Sequence, residues 1–142
     1  MLGAALASGQ GVPQDFVQAV IWYSEAADQG DLDAQSNLGA MYANGRGVPQ
    51  DYAQAVVLYR QAGERGNASA QSNLGLMYEH GQGVPQDYVS AHMWLNLAAT
   101  SPATDPAARD QAARERDMLA AKMTPAQIAE AQRLASELRP KK

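Results

Sequence analysis

Gly9-Gln10-Gly11-Val12-Pro13-Gln14-Asp15 returns as Gly45-Arg46-Gly47-Val48-Pro49-Gln50-Asp51 and again as Gly81-Gln82-Gly83-Val84-Pro85-Gln86-Asp87, each copy 36 residues after the last. A pattern recurring at a constant long period marks a repeat array. The surrounding sequence keeps the register. Residues 2–37 laid over 38–73 without a gap share 20 of 36 positions, and a third copy opens at Leu74. Units of this size bury their apolar faces only against their neighbours. The expected object is a stacked superhelix with a surface for holding other molecules.

One unit can be read residue by residue from Asp31. Its carboxylate suits the free amides at a helix start, and Asp33 suits the positive end of the dipole. A helix follows through Asn44, with Leu38 and Tyr42 four apart on one face. Gly39 sits in mid-helix, where glycine costs about 1 kcal/mol relative to alanine. Its counterparts Gly3 and Gly75 repeat that weakness, which predicts close approach of another backbone. Gly45 is the expected left-handed cap, Gly47-Val48-Pro49 the turn, and Asp51 the cap of a second helix reaching about Arg65. Asp15 and Asp87 occupy the same position in the other copies. On the second helix Tyr52, Ala55, Val56, Tyr59 and Ala62 form one buried stripe. Gly66 closes it and Asn67 caps the next unit. Stacked helix pairs make an all-α superhelical solenoid.

At these residues the sequence resembles the Sel-one-like repeat family, a relative of the tetratricopeptide repeats. Ala34, Leu38, Gly39, Tyr42, Gly45, Gly47 to Asp51, Ala55, Tyr59, Ala62 and Gly66 match the family pattern. Trp22-Tyr23 and Ala26-Ala27 match it in the first copy, and Trp94 and Ala98-Ala99 in the third. The departures are Leu58 where Trp22 and Trp94 stand, Gly63 for an alanine, and Thr100-Ser101-Pro102 in place of a glycine turn. The resemblance implies a non-enzymatic scaffold or adaptor that binds proteins and carries no cofactor. A cysteine-rich branch of the family is associated with β-lactam binding and hydrolysis. This chain has no cysteine and fits that branch poorly.

The resemblance and the period together predict three units over 2–37, 38–73 and 74–102, forming a region 1–102. Residues 103–142 fall outside the period and read as two helices capping the array. Asp105-Pro106 starts the first of them, to about Lys122, with Ala108, Ala112, Met118 and Leu119 on its apolar face. Thr124-Pro125-Ala126-Gln127 reads as a capping box for the second, which aligns Ile128, Ala131, Leu134, Ala135 and Leu138. The exposed end of the third unit is where they should pack.

Charge narrows the partner. The chain carries a net −4. Residues 1–104 hold three basic groups against nine acidic ones, and residues 105–142 hold eight against six. An acidic array without lysine is a poor match for nucleic acid or anionic lipid, so a neutral or basic protein or peptide is the expected partner. No apolar run reaches the roughly 18 residues a membrane helix needs. The Ala5-Leu6-Ala7 stretch has the small-x-small form of an export cleavage site, but the repeat register accounts for it. The opening residues read as the inside of a helix, as in a segment of a longer array. An apolar face left bare there could pair with a second chain, so a monomer or a weak homodimer is expected, and a self-associating structural module is the alternative to a scaffold.

The expected binding strip lies on the first helix of each unit. It comprises Asn37, Met41 and Asn44, repeated as Asn73, Met77 and His80, beside Ala40 and Leu76. Asparagine amides can pair with an extended peptide backbone, and methionines give adaptable apolar contact. In the alternative reading, Asn37 and Asn73 bond a neighbouring turn. Catalytic patterns are missing: His80 and His92 are twelve apart, there is no nucleophile elbow or zinc spacing, and Asp15, Asp51 and Asp87 are a full period apart. No catalytic, cofactor or metal site is therefore expected.

Overall fold

The computed structural model describes residues 13–102 and 106–138. The expected first helix of the first unit, the Gly9–Gly11 turn, the bare N-terminal face and the Asp105 cap lie outside the described residues. Within them every regular element is a helix. These are α1 (Pro13–Asp28), α2 (Leu32–Asn44), α3 (Tyr52–Glu64), α4 (Ala68–His80), α5 (Tyr88–Ala99), α6 (Pro106–Ala120) and α7 (Pro125–Leu138).

The recurrent heptad joins one helix to the next through a fixed set of bonds. Gly45 adopts φ +65°, and its N–H and that of Arg46 both donate to the Met41 carbonyl. The side-chain amide of Gln50 donates to the Ala43 carbonyl at 2.9 Å, and the Asp51 N–H donates to the Tyr42 carbonyl. The Asp51 carboxylate then accepts from the Gln54 N–H and starts α3. The third copy repeats each step: Gly81 and Gln82 to Met77, Gln86 to Glu79, Asp87 to Tyr78, and Ser90 to Asp87. Carbonyls left open at one helix end and amides left open at the next are thereby satisfied within seven residues. The first copy differs from expectation. Helix α1 already begins at Pro13, so Asp15 lies inside its first turn instead of capping it. Proline is favoured at a first helical position, and an acid there still suits the dipole.

The second glycine of the heptad holds neighbouring units together. A Cβ on Gly47 (φ +77°) would lie 2.4 Å from the Phe16 carbonyl oxygen, and one on Gly83 (φ +75°) 2.6 Å from that of Tyr52. Each turn thus rests on the first-turn backbone of the preceding unit's second helix. Of the two described mid-helix glycines, Gly75 meets the expected close backbone and Gly39 does not, and both receive a large side chain. At Gly39 the close neighbour is the Tyr59 ring, 2.8 Å from a notional Cβ. At Gly75 it is the Leu95 side chain, backed by the Ala91 carbonyl. Within each hairpin, glycine on one helix accepts a large side chain from the other.

The core runs along the stack through Ala55, Val56, Tyr59, Leu74, Met77 and Trp94, with Ala135 of α7 joining it. Helix α5 is apolar on nearly every side, as a helix covered all round must be. It packs on α4, α6 and α7. Successive first helices meet, α2 with α4 and α4 with α6, whereas α1, α3 and α5 pack mainly on the first helices between them. The wall therefore curves with α2, α4 and α6 on its inner side.

The two C-terminal helices cap the third unit, but not as a fourth hairpin. Helix α6 takes the place of a next first helix, while α7 folds back onto α5. Leu119 joins Ala91 and Leu95 in a second small core, and Ala131 and Ala135 are buried. Met118, expected on that face, is 71% exposed, because its neighbour Leu119 and not Met118 completes the Ala112 stripe. Ala108 is likewise exposed. The capping box forms as read: Thr124 N–H donates to the Gln127 side chain, and Gln127 N–H to the Thr124 hydroxyl.

Candidate functional site

The inner wall carries an open groove of about 760 Å³. Helix α4 forms its floor with Ser69, Ser72, Asn73 and Leu76, residues spaced three and four apart on one helical face. The start of α2 brings Asp31 and Asp33 to one side. Helix α6 brings Ala108, Gln111 and Glu115 to the other, and Arg65 and Asn67 enter from the turn before α4.

The polar rim is partly organised from within. The Asn67 amide donates to the Asp33 carboxylate at 2.9 Å, tying two units together. The Ser36 hydroxyl donates to that of Ser69, and Gln111 donates to Glu115. Asp31 is engaged as the α2 cap. Among the described residues no hydrogen-bond partner holds the Ser72 and Asn73 side chains, which leaves a hydroxyl and an amide available on the floor. Three carboxylates and one guanidinium give the groove a net negative charge.

The sequence-predicted strip is only partly placed on this wall. Asn73 lies in the groove beside Leu76. Asn37, Asn44 and His80 are exposed, but none of them lines it. Met41 and Met77 are core residues, 5% and 4% exposed, and do not belong to any surface strip. The reason is angular. Met41 follows Leu38 by three positions and Met77 follows Leu74 by three, which places each within about 60° of the buried leucine. Going four residues back from Asn73 instead of forward would have reached Ser69 and the true floor. The contribution of α6 had no repeat signal to announce it.

The bond to a neighbouring turn, considered for the asparagines, is made by Gln71. Its buried amide donates to the Gly63 carbonyl at 3.0 Å. In the preceding copy the Gln35 amide donates instead to the Gln61 side chain, so the identical triplets at 35–37 and 71–73 are bonded differently.

Groups with displaced proton affinity lie elsewhere. Burial pushes the Tyr59 hydroxyl up to about 12. Burial, with help from Arg116, pulls His92 below its ordinary value against an opposing effect of Asp117. Its Nδ1 is buried without a partner. The Arg133 hydrogen bond holds the exposed Glu130 carboxyl below the usual range. None of these lines the groove. Among the described residues no three His, Asp or Glu side chains gather as a metal site would require, and no helix is long and apolar enough to cross a membrane.

Comparison with known proteins agrees with this architecture. The Sel1 repeat model matches residues 1–31, 32–67 and 68–101, so its second and third units open with α2 and α4. The crystal structure of c5321, a protective antigen present in uropathogenic Escherichia coli strains displaying an SLR fold, is similar with a TM-score of 0.88 and 34% identity. That similarity covers 96% of this chain and 28% of the antigen, so the chain spans just over a quarter of that protein's length. A Sel1 repeat protein from Oxalobacter formigenes is similar with a TM-score of 0.62 and 37% identity over 69% of this chain and 75% of that one. Among curated proteins none matches. With three matched repeats, the heptad bonds shared by the second and third copies and a solenoid common to both solved relatives, the chain belongs to the Sel1 repeat family, whose members are generally protein-interaction scaffolds.

Proposed function

We propose that this chain is a non-catalytic scaffold whose inner wall holds an extended, neutral or basic segment of a partner protein. The observation that carries the reading is the groove between α2, α4 and α6, with its acidic rim and the unpaired Asn73 amide on its floor. An extended peptide exposes one donor and one acceptor per residue, and an asparagine amide answers both. Leu76 supplies an apolar contact, while Asp31, Asp33 and Glu115 favour lysine or arginine side chains over acidic ones. The open shape of the groove and the family's general role both favour holding over chemistry.

Selection of random peptides against the whole chain tests this. Enriched peptides should be neutral to basic, and Asn73→Arg with Leu76→Arg should weaken their binding at least tenfold at unchanged helicity. Enrichment of acidic peptides, or unchanged affinity in the double variant, would refute the reading.

A further inference from the structure

The outer face of the stack repeats as regularly as the inner one. Position 17 of the chain corresponds to 53 and 89, and position 21 to 57 and 93, at the 36-residue period. These positions read Val17, Ala53, Val89 and Ile21, Val57, Met93. On α1 and α3 they are bare: Val17 is 43% exposed, Ile21 46% and Val57 45%. Val57 stays open although α3 has α2 on one side and α4 on the other, so the repeat stack itself never covers this row.

On α5 the same row is covered. Val89 and Met93 are half-buried, and α7 packs on this helix. Val89 and Gln127 share a recess of about 240 Å³, and Met93 packs on the core that Ala135 joins. The molecule thus shows what covers this face: an amphipathic helix presenting small and branched apolar residues, here Ile128, Ala131 and Ala135. Around the bare tiers the exposed acids Glu25, Asp28, Asp51 and Glu64 outnumber the exposed bases Arg46, which shares a recess with Val17, and Arg65.

We infer that the outer row of α1 and α3 is a second docking surface, taking an amphipathic helix of another protein with an alanine-rich apolar stripe and basic flanks. It continues across the stack the interface that α7 makes with α5, and it is separate from the inner groove.

The probe is a labelled synthetic peptide of residues 123–142, which combines the α7 stripe with Arg139, Lys141 and Lys142. Fluorescence anisotropy is read against the whole chain and against an Ile21→Asp, Val57→Asp double variant, with helicity checked by circular dichroism. Both substituted positions are already exposed, so folding should persist. Saturable binding that falls at least tenfold in the double variant supports the surface. No binding overturns it. Equal binding to both proteins also overturns it, because the peptide would then be replacing α7 on α5. Light scattering that shows dimers of the whole chain, lost in the double variant, overturns it in favour of a second copy as the occupant.

Discussion

Two residues test how far the repeat tolerates departures. Gly83→Ala would force an L side chain into φ +75° and against the Tyr52 carbonyl. The expected loss is about 2–4 kcal/mol, combining backbone strain with overlap against another backbone. Chemical denaturation should show a lower midpoint. An unchanged midpoint would mean that the turn does not rest on the preceding unit. His92 stands where the other units have Val20 and Val56, buried on α5 with Arg116 and Asp117 of α6 near it. Its folded proton affinity is lowered, so the unfolded chain takes up the proton first. Its contribution to stability is therefore complete above the unfolded value near 6.5 and is lost as pH falls below it, by at most about 1.4 kcal/mol per pH unit. Melting temperature should drop between pH 7 and pH 5, and His92→Val should reduce that drop. Equal pH dependence in the two proteins would show that His92 is neutral to folding.

The heptad and the cap act as elements. Gln50 and Gln86 each reach back to a carbonyl at the end of the preceding helix. Replacing either with alanine frees an exposed acceptor and should cost roughly 0.5–1 kcal/mol. Removal of residues 124–142 strips Ala131, Ala135, Ile128 and Leu134 from α5. At about 1 kcal/mol or more for each of these four apolar side chains, the loss is at least about 4 kcal/mol. Increased dye binding to apolar surface and a lower melting temperature are expected. A truncated chain as stable as the parent would make α7 a detachable arm.

Most of these elements could be read from the sequence. The heptad prescribed helix end, turn and helix start because each step is a local hydrogen bond or a positive φ, and Asp31, Gly45, Asp51 and Asn67 all behave accordingly. Less legible were relations between units. Gly39 admits a tyrosine ring from its hairpin partner and not a backbone, and Gln71 instead of Asn73 bonds the turn. Both depend on which way a side chain leaves the helix once its neighbours are in place. Of the predicted strip, Asn73 reached the groove, whereas Met41 and Met77 went inward with the leucines three positions before them. Glu115 and Gln111 could not be foreseen, since α6 has no counterpart in the repeat.

At the scale of the whole molecule, three consequences follow from one stacking rule. Second glycines set unit on unit, first helices gather on the inner side, and second helices present their outer row to solvent except where α7 lies. The acidic character of the array applies to both faces, so partner binding should weaken as salt rises. The central claim is that α2, α4 and α6 form the wall that grips a partner segment. It is tested most directly by nuclear magnetic resonance of the isotope-labelled chain during titration with a selected extended peptide. Amide shifts should change at Asp33, Ser69, Ser72, Asn73, Leu76 and Gln111, with α1 and the outer row of α3 unaffected. Changes concentrated on α1 and α3, with the α4 floor silent, would contradict it.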